Sequence, residues 1–166
     1  QVCAIPERLE LFVRTVNNYI GLQRKPNSEK RLAIYYYKGP GQNALTASGM
    51  EVAPSLYNLL VRLRNEGYRV EHLPASPAGL EALIQRQGAL FNSYAHGAKA
   101  RFLTDGRPAL ISADDYAAWT AEALRPGMMA EAEALDGPFP GRQMDDGEGR
   151  LALPRGELGN IVLLPQ

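Results

Sequence analysis

The run "LAIYYY", Leu32 to Tyr37, leads into a glycine-punctuated stretch, "KGPGQNALTASG", and then into a helical pattern; this order limits the fold more than any other feature of the chain. Branched and aromatic residues with little polar alternation read as a strand, expected here to be buried on both faces. Pro54 opens "PSLYNLLVRLRNEG", where Leu56, Leu59, Leu60 and Leu63 share one stripe and Gly67 is placed to stop the helix. "YRVEHL", Tyr68 to Leu73, reads as a second strand. Ser76 and Pro77 read as the N-cap and first-turn residues of a further helix, "PAGLEALIQRQ", ended by Gly88. Strand, helix, strand, helix is the order of an α/β fold: a layered, mostly parallel sheet flanked by helices, of the Rossmann or flavodoxin-like kind.

Upstream, Pro6 suits a first helical turn, and Leu9, Phe12, Val13, Val16 and Ile20 recur at helical spacing up to a predicted end near Gly21. "RKPNSEK" is a polar connector. The second half is irregular and α-rich. "GALFNSYAHGAKARFLTDGRPALI" mixes short apolar pieces with turn residues, and its periodicity assigns no definite elements. "SADDYAAWTAEAL" reads as a helix capped by Ser112, with Asp115 as the carboxylate of a capping box. Pro126 starts "PGMMAEAEAL", "DGPFPGRQMDDGEGR" is loop, and "LALP" and "NIVLLP" are closing strands. The chain therefore reads as a single α/β domain, or a fragment of one. It has a helical lead-in over 1–25, an α/β core over 30–111, a helical and loop region over 112–150, and closing strands over 151–166.

Composition narrows the function. The 166 residues are 45% apolar and 22% charged, with 18 basic and 18 acidic side chains and no net charge. That is ordinary globular usage without the basic excess of a nucleic-acid binder. No apolar run approaches the roughly 18 residues of a membrane span. A single cysteine, Cys3, excludes an internal disulfide and suits a reducing compartment, so a cytoplasmic protein is expected. The start, "QVCAIPERLE", lacks the n-region and h-region of a signal peptide, and both ends read as cuts inside a longer chain.

The glycine loop is the first candidate site. "GPGQNA" has the G-x-G-x-x-A form after a strand, and Glu71 stands where a ribose-binding acid would. A dinucleotide fingerprint, however, needs a helix to open inside the loop so that its N-terminal amides meet the pyrophosphate. Here the helical pattern waits until about Pro54. The P-loop pattern is absent, and Lys38 precedes the glycines. A purely structural loop stands beside a functional one, since the stretch is long and lies at the carboxyl end of a strand, where open α/β sheets place their ligands. His72 and His96 have no Cys, Asp or Glu at metal-ligand spacing; His96, before Gly97 in the irregular stretch, is the better functional candidate. No G-x-S-x-G or Cys–His pattern marks a nucleophile. Asp114–Asp115 fits helix capping, Asp145–Asp146 a solvated turn, and Tyr35 to Tyr37 a sheet.

Several segments together resemble one family. "LQRKPNSEKRLAIYYYKGPGQN" is similar to a Lys-Pro-Asn stretch running into a strand and a loop of Asn, Gly and Pro. "SGMEVAPSLYNLLVRLRNEGYRVEHLP" is similar to a helix that opens Pro-Ser and ends Gly-Tyr. "YAAW" with Leu124 and Pro126, then "LDGPFPG", resembles a Tyr-x-x-Trp helix followed by Trp-Gly-x-x-Pro-Gly, and "GELGNIVLLPQ" a Phe-Gly-Asn strand leading to Gln-Pro. These are segments of the large subunit of aerobic cobaltochelatase, the CobN family, and of the related magnesium chelatase H subunit. Leu135–Asp136 stands in place of the usual Trp, and Leu158 in place of a common Phe.

The resemblance implies a piece of a much larger subunit, one that binds a tetrapyrrole into which a divalent metal is inserted; closeness to the cobalt branch implies a corrin precursor. It implies no cofactor on the fragment itself. Cobalt (or magnesium) and ATP are used by the whole complex, with ATP hydrolysis on AAA+ ATPase partners beside an adaptor subunit. The macrocycle's amide and carboxylate edges would meet neutral hydrogen-bonding groups such as Asn43 and Asn160, with His96 as a further candidate contact. The family's metal-handling His-Gly…Glu-x-x-Pro-Gly-Lys segment would follow Gln166, so the fragment alone is expected to be inactive. Two other readings stand beside this one: a non-catalytic α/β scaffold or partner-interaction module of that subunit, and a nucleotide-binding flavodoxin-like domain.

Overall fold

The computed structural model describes residues 5–38, 46–47, 49–88, 97–123 and 127–165. Helix α1, Pro6–Arg24, begins with its proline in the first turn and runs past Gly21. A mid-helix glycine costs only about 1 kcal/mol. The stop comes from Lys25, which is extended at φ −68°, ψ 130° because the residue before Pro26 is pushed out of the helical region. A single 3-10 turn, Asn27–Glu29, then delivers the chain to strand β1, Leu32–Tyr36.

Strand β1 pairs in parallel with the last strand, β7, Ile161–Pro165, in the register Leu32 to Ile161 through Tyr36 to Pro165. Strand β6, Gly156–Leu158, lies on the other side of β7 and is antiparallel to it, giving the order β1-β7-β6. A two-residue turn joins β6 to β7, with Gly159 at φ 72° in the first central position, as a II′ hairpin requires. Two smaller pairs complete the described strands. Strand β2, Thr46–Ala47, pairs with β3, Met50–Glu51, and β4, Ala109–Ile111, pairs with β5, Leu151–Leu153; both pairs are antiparallel.

Helix α2, Val52–Asn65, opens two residues before Pro54 and ends in a Schellman arrangement. In it the N–H of Tyr68 donates to Leu63 O and that of Gly67 to Arg64 O. Helix α3, Pro77–Gln87, carries the expected cap, the N–H of Gly79 donating to Ser76 Oγ at 3.1 Å. The unassigned middle stretch contains helix α4, Ala98–Asp105, which sits against α3. Helix α5, Ala113–Ala123, is capped as expected: the N–H of Asp115 donates to Ser112 Oγ, whose hydroxyl donates to Asp115 Oδ2. Helix α6, Met128–Asp136, comes next; Leu124 and Pro126, ahead of it, lie outside the described residues.

The core lies between one face of the three-stranded sheet and the helix pair α2–α3. Ala53, Leu56 and Leu60 of α2, Leu80 and Ile84 of α3, and Tyr36, Leu158, Ile161 and Leu163 of the sheet are its buried members. At roughly 25 cal/mol per Å² of apolar surface, side chains of this size each contribute about 1.5–3 kcal/mol.

The α/β architecture is as read from the sequence, but its details differ. Strand β1 alternates rather than being buried on both faces: Tyr36 is buried but Tyr35 is 69% exposed. Both helices of the core cover the same side of the sheet, so nothing described lies over the other. The segment "YRVEHL" is not a strand. It runs beside the β6–β7 turn through two backbone bonds, Glu71 N to Leu158 O and Asn160 N to Arg69 O, and His72 then turns to φ 54° and ends the extension. Finally, one parallel pair, β1–β7, stands among otherwise antiparallel ones in the described strands. A tight hairpin such as β6–β7 can only be antiparallel.

Candidate functional site

Two of the three site residues expected from the sequence, Asn43 and His96, lie outside the described residues, as do Gly39 and Gly41 of the glycine loop. Beyond that loop comes the β2–β3 hairpin, and helix α2 opens only at Val52. Asn160 sits at the amino-terminal ends of the parallel strands. Its Nδ2 donates to Ser28 O at 2.9 Å, across 132 residues of sequence, and its carbonyl accepts from Leu32 N at 3.0 Å. In this position its amide ties the middle of the 3-10 turn to the head of the sheet. Among the described residues no three His, Cys, Asp or Glu side chains converge in a way that could hold a metal ion, and no helix is long and apolar enough to cross a membrane.

The carboxyl end of β1 holds Tyr36 and Lys38. Lys38 is 5% exposed, and burial pushes its ammonium below the usual lysine range; among the described residues no carboxylate pairs with it. Burial pushes the Tyr36 phenol up in the same way. The Tyr36 hydroxyl lies over the end of α3, where a β-carbon at Gly88 would fall 1.8 Å from it. Gly88 is therefore demanded by close approach rather than by backbone angle.

One turn further, α3 and α4 end side by side. Gly106 backs onto the carbonyl of Arg86, so closely that a β-carbon there would lie 2.9 Å from it. Between the two helix ends opens a polar cleft of about 620 Å³ lined by Arg86, Gln87, Thr104, Asp105 and Arg107. Its volume falls in the range of small-molecule sites, roughly 300–1,000 Å³. Arg107 adopts φ 50°, an uncommon conformation for a residue with a side chain. Gln87 Oε1 is buried with no hydrogen-bond partner among the described residues, lying 3.5 Å from where a β-carbon on Gly156 of β6 would sit. Arg86, near the end of α3, and Arg107, two residues beyond α4, border this space together with the Asp105 carboxylate, so its charge is mixed; a guanidinium can bind a planar carboxylate bidentately. Sequence reasoning missed this cleft because Arg86 and Arg107 are 21 positions apart in number and α4 had no clear signature. A second hollow is small and apolar, about 120 Å³, between α5, α6 and the loop after Asp136; Tyr116 and Phe139 meet there with ring centroids 4.9 Å apart.

The described part of the chain is thus an α/β module with a cleft bordered by two arginines where α3 and α4 end. The family model described as CobN/Magnesium Chelatase matches residues 1–166, and the chain belongs to that family. It is 32% identical over 116 residues to the aerobic cobaltochelatase subunit CobN of Pseudomonas aeruginosa, covering 68% of this chain and 9% of that protein. It is 30% identical over 160 residues to the magnesium-chelatase H subunit of Rhodobacter capsulatus, covering 95% of this chain and 12% of that protein. Among solved structures, the catalytic subunit of cobaltochelatase from Mycobacterium tuberculosis matches with a TM-score of 0.64 and 25% identity, over 87% of this chain and 11% of that one. The chain thus spans about a tenth of the length of these relatives.

Proposed function

We propose that this chain is part of the tetrapyrrole-binding large subunit of an ATP-dependent metal chelatase, inserting cobalt into a corrin ring in cobalamin biosynthesis. The family match over residues 1–166 carries the reading. The cobalt assignment is supported by the named cobaltochelatase relatives in both sequence and fold, while similar identity to a magnesium-chelatase subunit keeps magnesium and a porphyrin as the competing pair. The metal ion is a substrate of this reaction. ATP hydrolysis belongs to AAA+ partner subunits acting with an adaptor, in the cytoplasm.

Within the subunit, we assign the cleft between α3 and α4 to the acidic edge of a macrocycle. Arg86 and Arg107 would hold carboxylates, and Thr104 and Gln87 border the same space. Asn43 and His96 are proposed as further contacts to amide edges, and Asn160, at the other end of β1 with its Nδ2 held by Ser28 O, as a separate contact through its Oδ1. The test is cobalt insertion into hydrogenobyrinic acid diamide by the full-length subunit reconstituted with its ATPase partners. The double variant Arg86→Ala, Arg107→Ala is expected to raise KM for the macrocycle by about tenfold to a hundredfold, the worth of one or two charged hydrogen bonds. An unchanged KM places the macrocycle elsewhere in the subunit. Magnesium insertion in place of cobalt would reassign the substrate while leaving the cleft in play.

A scaffold reading is favoured by one observation, the large apolar surfaces left uncovered on this chain. A pull-down of the ATPase subunits by residues 1–166 alone distinguishes it from the macrocycle-binding role.

A further inference from the structure

Two apolar surfaces have no partner among the described residues. The first is the bare side of the three-stranded sheet, where Ala33 and Tyr35 of β1 are exposed beside half-buried Val162 and Leu164 of β7. Parallel strands normally have both faces covered, because the connections that make them parallel lay helices on each side. Strand β1 is also the edge of its sheet, with β7 as its one described neighbour. The second surface is α1. Leu9, Phe12, Val13, Val16, Tyr19 and Ile20 fall within one arc of the helix, all are exposed, Phe12 at 65%, and no residue of α1 is buried. An amphipathic helix draws most of its stability from packing its apolar face, so an uncovered stripe of this length is an unfinished interface.

We propose that both surfaces are internal to the full-length subunit, covered by parts of the same polypeptide outside residues 1–166. Three observations choose that occupant. The solved cobaltochelatase subunit that shares this fold is matched over only 11% of its length, so about nine-tenths of such a subunit remains available to cover the module. The α1 stripe carries no charge, with Arg8 and Arg24 at its margins, and the sheet face is apolar over β1 and β7, its charged pair being Arg155–Glu157 at the far strand β6. Permanent interfaces have this apolar character, whereas partners that bind and leave meet more polar surfaces. And a parallel pair open on one side calls for a helical layer of the kind that long intrachain connections supply. The inference rests on the family membership alone, so failure of the cobalt assignment leaves it standing.

The experiment uses the full-length subunit carrying Cys3→Ser and a single added cysteine, Phe12→Cys or Tyr35→Cys, labelled with a maleimide and read by peptide-resolved mass spectrometry. Labelling of both positions is expected to be at least about 100-fold slower than in the same subunit unfolded in urea, as for groups exposed only by opening of a stable structure. Protection is also expected to be unchanged across about a hundredfold dilution, as mass action requires of an intrachain contact. Rapid labelling in the native subunit overturns the proposal. So does protection that fades on dilution, which would name a second copy, or protection that appears only when ATPase subunits are added. Hydrogen exchange of the unsubstituted subunit reads the same question without any variant: amides of residues 6–24 that exchange as freely as an isolated helix count against it.

Discussion

Gly88 has no room for a β-carbon, since the Tyr36 hydroxyl occupies the space and the carbonyl of Ile84 lies 2.9 Å from the same point. Gly88→Ala is expected to destabilise the chain by about 1–3 kcal/mol, the usual cost of overpacking a filled site. In a Tyr36→Phe background the loss should shrink but not vanish, because Ile84 O remains; equal losses in both backgrounds, measured by urea denaturation, would remove the hydroxyl from the explanation. Asp146 makes a second residue-scale case. Burial opposes its ionisation, but the N–H groups of Glu148 and Arg150 and the Arg150 guanidinium, 2.6 Å from Oδ2, together hold its carboxyl below the usual range. A carboxyl lowered in the folded state stabilises above its unfolded pKa, about 3.9, and that contribution is lost as pH falls through the folded value. Asp146→Asn is therefore expected to lower thermal stability at neutral pH and to flatten its decline below about pH 4; parallel pH profiles for the two proteins would contradict this. Neither Gly88 nor Asp146 advertises its role in the sequence: the glycine reads as an ordinary helix stop, and the aspartate as one of a solvated pair.

At the scale of elements, α3 joins the core to the cleft, packing on α2, α4 and β6. It carries Leu80 and Ile84 into the core, ends over Tyr36, and contributes Arg86 and Gln87 to the cleft. Its cap is a single hydrogen bond from Gly79 N to Ser76 Oγ, so Ser76→Ala is expected to cost about 1 kcal/mol. Chemical denaturation checks this, and Ser76→Asn should restore most of the loss, as another good capping residue does. Ser76, Pro77 and Gly88 were legible in the sequence because capping involves groups three or four residues apart. The segment after α2 was not. "YRVEHL" has the composition of a strand, yet its hydrogen bonds are decided by where the β6–β7 turn arrives, some ninety residues later in number, and by the left-handed backbone at His72.

On the scale of the whole molecule, the core is one-sided. Sheet and helix pair bury each other, while α1 and the second sheet face stand outside it. Because no residue of α1 is buried, deleting residues 1–24 is expected to change the unfolding free energy of this chain by less than about 0.5 kcal/mol, the range of surface changes. The same deletion in the full-length subunit should be far more damaging if the stripe is an internal surface there. Differential scanning calorimetry of the two truncations gives the comparison, and a large loss in the short chain would show that α1 contributes to this core after all.

The amino-acid sequence alone determined what neighbours along the chain can settle: the capped starts of α3 and α5, the stop at Gly67, the strand character of Leu32 to Tyr36, and a segment order resembling the chelatase family. These rest on interactions spanning a few residues, and such interactions survive in any fold that contains them. Only the tertiary structure decided that β7 lies parallel to β1, that Asn160 clamps Ser28, that Tyr36 seats on Gly88, and that Arg86 and Arg107 share one cleft. Each of those pairings closes a long loop, and which distant surfaces meet depends on burying the apolar faces of all the elements together rather than on any stretch read alone.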